Sequence, residues 1–171
     1  MQFSLQNLAG FFALDVDPTV VLPASYDPVL VLLSFFIATL AGFAFIHLLH
    51  RIAEHEDSTQ RHLWMAGGAV IMGLRIWAMH FVGMLAYQLP IRVGYDPLVT
   101  LGSAVPAVLA SAWNLQIVGH AHITRFRLFL GGIVLGGGIG LMHYTGMAAV
   151  DFDAFIRYDP LLFALSLLVA I

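Results

Sequence analysis

The chain has 171 residues, of which 60% are hydrophobic and only 10% charged, with a net charge of −3. Soluble domains carry about 25% charged residues, so this composition points to lipid as the solvent. The seven basic residues are all Arg and are scattered, which excludes nucleic-acid binding. Cysteine is absent, which excludes disulfides, thiolate metal sites and a Cys nucleophile.

Residues 1–28 lack the basic start of a signal peptide, and their apolar stretch Leu8–Leu14 is short. With Asp15, Asp17 and Asp27, they read as an acidic periplasmic lead-in. A bilayer core of about 30 Å needs roughly 20 helical residues. Val29–Leu49, Leu63–Leu89, Leu98–Val118 and Leu128–Val150 meet that length, and a fifth run, from Leu161 to Ile171, is truncated. The fold class is therefore all-α, a polytopic helical membrane protein with five membrane helices in view. Arg51, Arg61, Arg125 and Arg127 flank the first and third helix connections, against Arg92 and Arg157 in the other two. Positive-inside then places the 51–61 and 119–127 connections in the cytoplasm and the N-terminus outside.

The triplet Tyr-Asp-Pro occurs at Tyr26, Tyr95 and Tyr158, each time just before an apolar run. Pro suits the first helical turn, and Asp before it can cap free amides. These needs explain Asp and Pro but not the recurrence of Tyr. Each triplet opens a unit of two helices, and the second helix carries a shared signature. Unit one reads Met79-His80-Phe81-Val82-Gly83-Met84, and unit two, 63 residues on, reads Met142-His143-Tyr144-Thr145-Gly146-Met147. Unit three opens at Tyr158, and its signature is expected beyond Ile171.

At about 100° per residue, His80 shares a helix face with Met84, and His143 with Met147. Gly132, Gly136 and Gly140 lead to His143 on one arc; Ala69, Gly73 and Trp77 lead to His80 on the equivalent one. Small residues at this spacing let membrane helices approach closely. If the two helices face one another, His80, Met84, His143 and Met147 converge. Imidazole with thioether, without carboxylate, is a soft ligand set suited to copper, Cu(I) in particular. Met79 and Met142 point about 100° away from their neighbouring His and rank second as ligands. A single His–Met pair is ordinarily structural, because His can bond a neighbouring helix and Met fills gaps. Two matched copies at matched depth favour a site, since ionisable groups within membranes are costly.

Other features carry less. Arg75, one turn before Met79, can snorkel, pair or line a polar cavity. Met65, Met72 and Met79 share a face, for which packing is the simpler reading. His47, His50, His55, His62, His120 and His122 gather at the inner helix ends as solvated connection residues. The run Gly136-Gly137-Gly138-Ile139-Gly140 lies within a helix and is no nucleotide loop.

Met142-His143-Tyr144-Thr145 resembles the motif after which the MHYT domain is named, and Ile76–Met84 looks like its first copy. The resemblance spans Tyr26 to the chain end. It implies a sensory domain of the bacterial inner membrane with seven helices and three motif copies. Residues 29–171 would be that membrane domain, truncated before its third repeat is complete. It further implies copper held by Met79, His80, Met84, Met142, His143 and Met147, and sensing of a diatomic gas such as O₂, CO or NO. Fusion to C-terminal cytoplasmic domains that make or degrade cyclic di-GMP is common in the family, so this chain alone is expected to catalyse nothing. Arg75 departs from the small residue expected at its position. Three other readings stand beside copper sensing: copper transport or delivery, a b-haem protein with His80 and His143 as axial ligands, and a structural anchor forming a homodimer.

Overall fold

A computed structural model describes residues 21–54, 57–119, 124–151 and 157–170. Helix α1 covers Pro28–Glu54, α2 Ser58–Ala86, α3 Pro97–Gly102, α4 Ala104–Val118, α5 Arg125–Met147 and α6 Pro160–Ala170. Two-residue strands lie between them: β1 Ser25–Tyr26, β2 Tyr87–Gln88, β3 Gly94–Tyr95 and β4 Val150–Asp151. Among the described residues four spans are long and apolar enough to cross a membrane: Pro28–Ile52, Ser58–Ala86, Pro97–Val118 and Arg125–Met147. Pro160–Val169 is a shorter apolar helix. The all-α, multi-pass expectation therefore holds. Large exposed apolar side chains such as Val29, Phe35, Leu98 and Phe129 coat the surface, as lipid contact requires.

The triplets start helices as their chemistry demands. Asp27 Oδ1 accepts from the Val29 amide at 2.8 Å, Asp96 from Val99 at 2.8 Å, and Asp159 from Leu161 at 2.8 Å and Leu162 at 2.9 Å. Each bond satisfies an amide that the first turn leaves free. The recurring Tyr also stands in a two-residue strand bridge. Tyr26 pairs antiparallel with Tyr87, and Tyr95 with Val150. The next amide continues each bridge, Asp27 to the Ala86 carbonyl and Asp96 to the Ala149 carbonyl, both at 2.8 Å. These bridges stop the second helix of each unit short of the expected ends at Leu89 and Val150. Residues 87–88 and 150–151 take strand partners, and α2 closes with the Tyr87 amide on the Met84 carbonyl.

The third span is not one continuous helix. It breaks at Ser103, between α3 and α4. Pro106 has no amide proton, and its ring crowds the carbonyl four residues earlier, at Gly102. The Ser103 hydroxyl donates to the Thr100 carbonyl at 2.6 Å. The Trp77 indole of α2 donates to that same carbonyl and to Ser103 Oγ, both at 3.0 Å. The break is thus tied to α2 by an aromatic side chain.

Helix α4 is the wedge of the bundle. It packs closely on both α2 and α5, whereas α2 and α5 approach one another only slightly. Glycines permit this: a Cβ on Gly73 would collide with the Val108 backbone, and one on Gly138 with Ala110. The glycine arc expected to join α5 to α2 lies elsewhere. Gly140 faces Leu167 of α6, and the Ala69, Gly73 and Trp77 face of α2 is taken by α4. Two small cores result, Ile52, Ala69 and Leu115 near one end, and Ile76, Ala107 and Met142 toward the other. Met65 and Met72 pack against these cores, as filler residues do.

Overpacking a tight contact costs about 1–3 kcal/mol. Gly73→Leu is therefore expected to lower thermal stability in detergent, read as the fraction surviving size-exclusion chromatography after heating. Gly137, whose Cβ would meet nothing within 4 Å, supplies the control: Gly137→Leu should match the wild type.

Candidate metal centre

His80 stands near the end of α2 and His143 near the end of α5, both on the side of the bundle that carries the triplets. Their rings meet edge to face, with centroids 4.9 Å apart and planes at 76°. The structure thus joins the two signatures through their histidines, although their helices scarcely touch elsewhere. Gly146 makes room for the contact. A Cβ there would lie 3.2 Å from Phe81 Cζ and 3.4 Å from His80 Nε2. That nitrogen is buried and has no hydrogen-bond partner. An orphaned ring nitrogen facing a side-chain-free position is costly unless something bonds to it.

The methionines divide. Met142 is 0% exposed and packs on Ile76 and Ala107, so its side chain belongs to the core between α2, α4 and α5. Met79 is half-buried, and its carbonyl accepts from Ser34 Oγ at 2.8 Å, which pins α1 to α2 just before the site. Met84 and Met147 are half-buried and stand one helical turn beyond His80 and His143. Among the described residues no group of three His, Asp or Glu converges. Among the described residues, the further donors available to an ion at the histidine pair are thioether sulfur and backbone.

Aromatic rings cap this end. Tyr95 lies over Phe81 at 6.3 Å, and Tyr158 over Tyr144 at 5.5 Å. Both pairs occupy equivalent positions in successive units. Burial pushes the Tyr95 phenol up. Burial first, and the adjacent Tyr144 second, push the Tyr158 phenol up. Both therefore stay protonated at neutral pH, as neutral covers over an apolar site.

Sequence reasoning did not identify the serines. Ser34, Ser103 and Ser166 each stand seven residues after a triplet Asp. Each reaches a signature helix: Ser34 the Met79 carbonyl at 2.8 Å, Ser103 the Trp77 indole at 3.0 Å, Ser166 the Tyr144 hydroxyl at 3.0 Å. Extending the triplet comparison by one heptad would have found them. The role of Gly146 was also missed, although it belongs to the signature. His50 and His62 sit exposed at the opposite end, bonded to the carbonyls of their own helices. His55, His120 and His122 lie outside the described residues, as do Leu8–Leu14, Asp15 and Asp17.

The profile of the MHYT family, described as a bacterial signalling protein N-terminal repeat, matches residues 73–131 and 136–171. The bifunctional diguanylate cyclase/cyclic di-GMP phosphodiesterase MucR of Pseudomonas aeruginosa is 45% identical over 86% of this chain and 22% of its own length. The cyclic di-GMP phosphodiesterase NbdA of the same organism is 39% identical over 91% of this chain and 20% of its own. The signaling protein YkoW of Bacillus subtilis is 34% identical over 86% of this chain and 18% of its own. The chain thus spans about a fifth of the length of these relatives. No solved structure matches it.

The lack of native cysteine allows a direct test of the histidine contact. A His80→Cys/His143→Cys double variant is expected to be cross-linked by a short bifunctional thiol reagent, seen as a retained band after cleavage between the two helices. Adding Gly146→Val should reduce that yield several-fold. Equal cross-linking by a pair placed at Leu85 and Leu141, which are exposed, would contradict the arrangement.

Proposed function

The chain belongs to the MHYT family of bacterial signalling domains, and from that premise we propose that it is a copper-binding sensory input domain of the inner membrane. Its stimulus is a diatomic gas (O₂, CO or NO) or a change of redox state. Its output is cyclic di-GMP turnover by cytoplasmic domains on the C-terminal side, the activity that MucR and NbdA are named for. The N-terminus lies outside, as the Arg distribution favours. The observation that carries the reading is the histidine pair, His80 against His143 with the His80 Nε2 buried and unpartnered.

The donor set fits copper. Two imidazoles from different helices face one another without any carboxylate beside them among the described residues, and thioethers stand one turn away. Soft, borderline ligands of this kind prefer Cu(I) to Mg, Ca or Mn. His80 and His143 would hold the ion, with Met84 and Met147 completing the shell; Met79 ranks behind them, and Met142 last because its side chain fills the core. Bound copper supplies a redox-active centre with affinity for diatomic molecules. Phe81, Tyr95, Tyr144 and Tyr158 keep bulk water from the histidines and let small neutral molecules pass. Because α2 and α5 touch little except here, a change in the His80–His143 spacing moves one signature helix relative to the other. Haem is the weaker reading, since rings 4.9 Å apart leave no slot for a porphyrin between two axial ligands. Transport is weaker too, because it needs ligands at several depths and both signatures sit at one.

Elemental analysis and an optical spectrum of the purified protein test the proposal. Stoichiometric copper without a Soret band is expected. His80→Ala and His143→Ala should each weaken copper binding by tenfold or more, about the 1.4 kcal/mol that one lost ligand easily exceeds. Met142→Leu should retain the metal. Carbon monoxide added to the reduced protein should give an infrared band of copper-bound CO that is absent from His80→Ala. A Soret band, or copper content indifferent to both histidines, would overturn the assignment.

A further inference from the structure

Arg75 is the one Arg near the middle of a span, and neither the signature nor the repeat calls for it; its counterpart in the second unit is Gly138. It lies 11 residues from the end of α2 at Ala86 and 17 from the start at Ser58, or about 16 Å and 25 Å along the axis. The Cα–Cβ bonds of a helix tilt toward its N-terminus. The side chain therefore leans toward the farther end and away from the nearer membrane surface, so snorkelling does not explain it. Arg75 is half-buried and makes no hydrogen bond or ion pair with any described residue. An unneutralised guanidinium at this depth is costly and marks a ligand or partner.

Arg75 lines a groove of about 380 Å³ between α1 and α2. The walls are apolar, from Phe43, Leu48 and Met72, and the groove runs toward the 54–58 connection past His47, Arg51 and Trp64. Gly68 lets Leu48 press against α2 and so forms the floor. His47 is held edge to face by Phe43 at 4.5 Å. The groove therefore has apolar sides, two arginines and a histidine along its length, an aromatic residue at its mouth, and no acidic side chain among its described lining residues. Charge complementarity selects an anionic amphiphile. Guanidinium groups bind phosphate through paired charge-assisted hydrogen bonds.

We propose that this groove is a binding site for an anionic phospholipid of the leaflet at the 54–58 end, its phosphate held by Arg75, whose side chain leans toward that end, and its acyl chain directed away from that end past Phe43 and Ala41. The site is separate from the histidine pair and does not depend on a metal there. It gives the domain a second input, the anionic lipid content of the membrane.

Native mass spectrometry of the intact protein, purified in mild detergent and mixed with phosphatidylglycerol or phosphatidylethanolamine, tests this. The wild type should retain phosphatidylglycerol in preference, and Arg75→Met should lose that preference by about tenfold, the effect of roughly 1.4 kcal/mol. Arg75→Lys, which keeps the charge, should recover part of it and shows that the site survives substitution. Equal retention of both lipids by the wild type, or undiminished preference in Arg75→Met, would overturn the proposal. So would loss of a dimer in Arg75→Met with unchanged lipid binding, which would assign the groove to a second copy of the chain. Copper content measured on the same samples should not change.

Discussion

The close approach of α4 to both of its neighbours is the constraint on which the site rests. Membrane helices gain little from hydrophobic association, because lipid is as apolar as their side chains. What holds them is short-range packing, and that requires small residues where backbones meet. Gly73 against Val108 and Gly138 against Ala110 draw α2 and α5 onto opposite sides of α4. The two signature helices then converge at the triplet end by geometry and not by adhesion along their lengths. Gly146 completes the convergence by leaving His80 the space that a side chain would fill. The histidine contact is thus set by three glycines, two of them remote from it.

Much of this architecture was legible in the sequence. Apolar runs of spanning length marked the spans, and the triplets marked the starts of three of them, because Asp before Pro caps a first turn. The pairing of His80 with His143 was also foreseeable from the repeat. What the sequence did not disclose was which helix faces which. A glycine stripe announces a close approach without naming the partner, and here Gly140 meets α6 and the Gly73 face meets α4 in place of the other signature helix. Met142 shows the same limit. Its place in the signature matches that of Met79, yet its neighbours Ile76 and Ala107 come from two other helices. The strand bridges were hidden for a different reason: two-residue pairings are made by backbone, and backbone leaves no residue pattern.

The break at Ser103 deserves weight beside the glycines. Pro106 divides the third span, and Trp77 spans the division with two hydrogen bonds. Trp77 lies one turn before His80 and contacts Phe81 at 4.8 Å. The interrupted span and the histidine pair therefore share a neighbour. Ser34 and Ser166 make comparable ties in the flanking helices.

The strand bridges bear on how such a domain arises. Tyr26 meets Tyr87 and Tyr95 meets Val150, so the same docking is achieved with different side chains on one partner. A joint made of amides and carbonyls places almost no demand on residue identity. A gene segment encoding one two-helix unit, once duplicated, carries its own coupling with it. Each copy is then free to drift in the side chains that helix packing leaves unused. Modular growth and divergence of function are both consequences of building the joint from main chain.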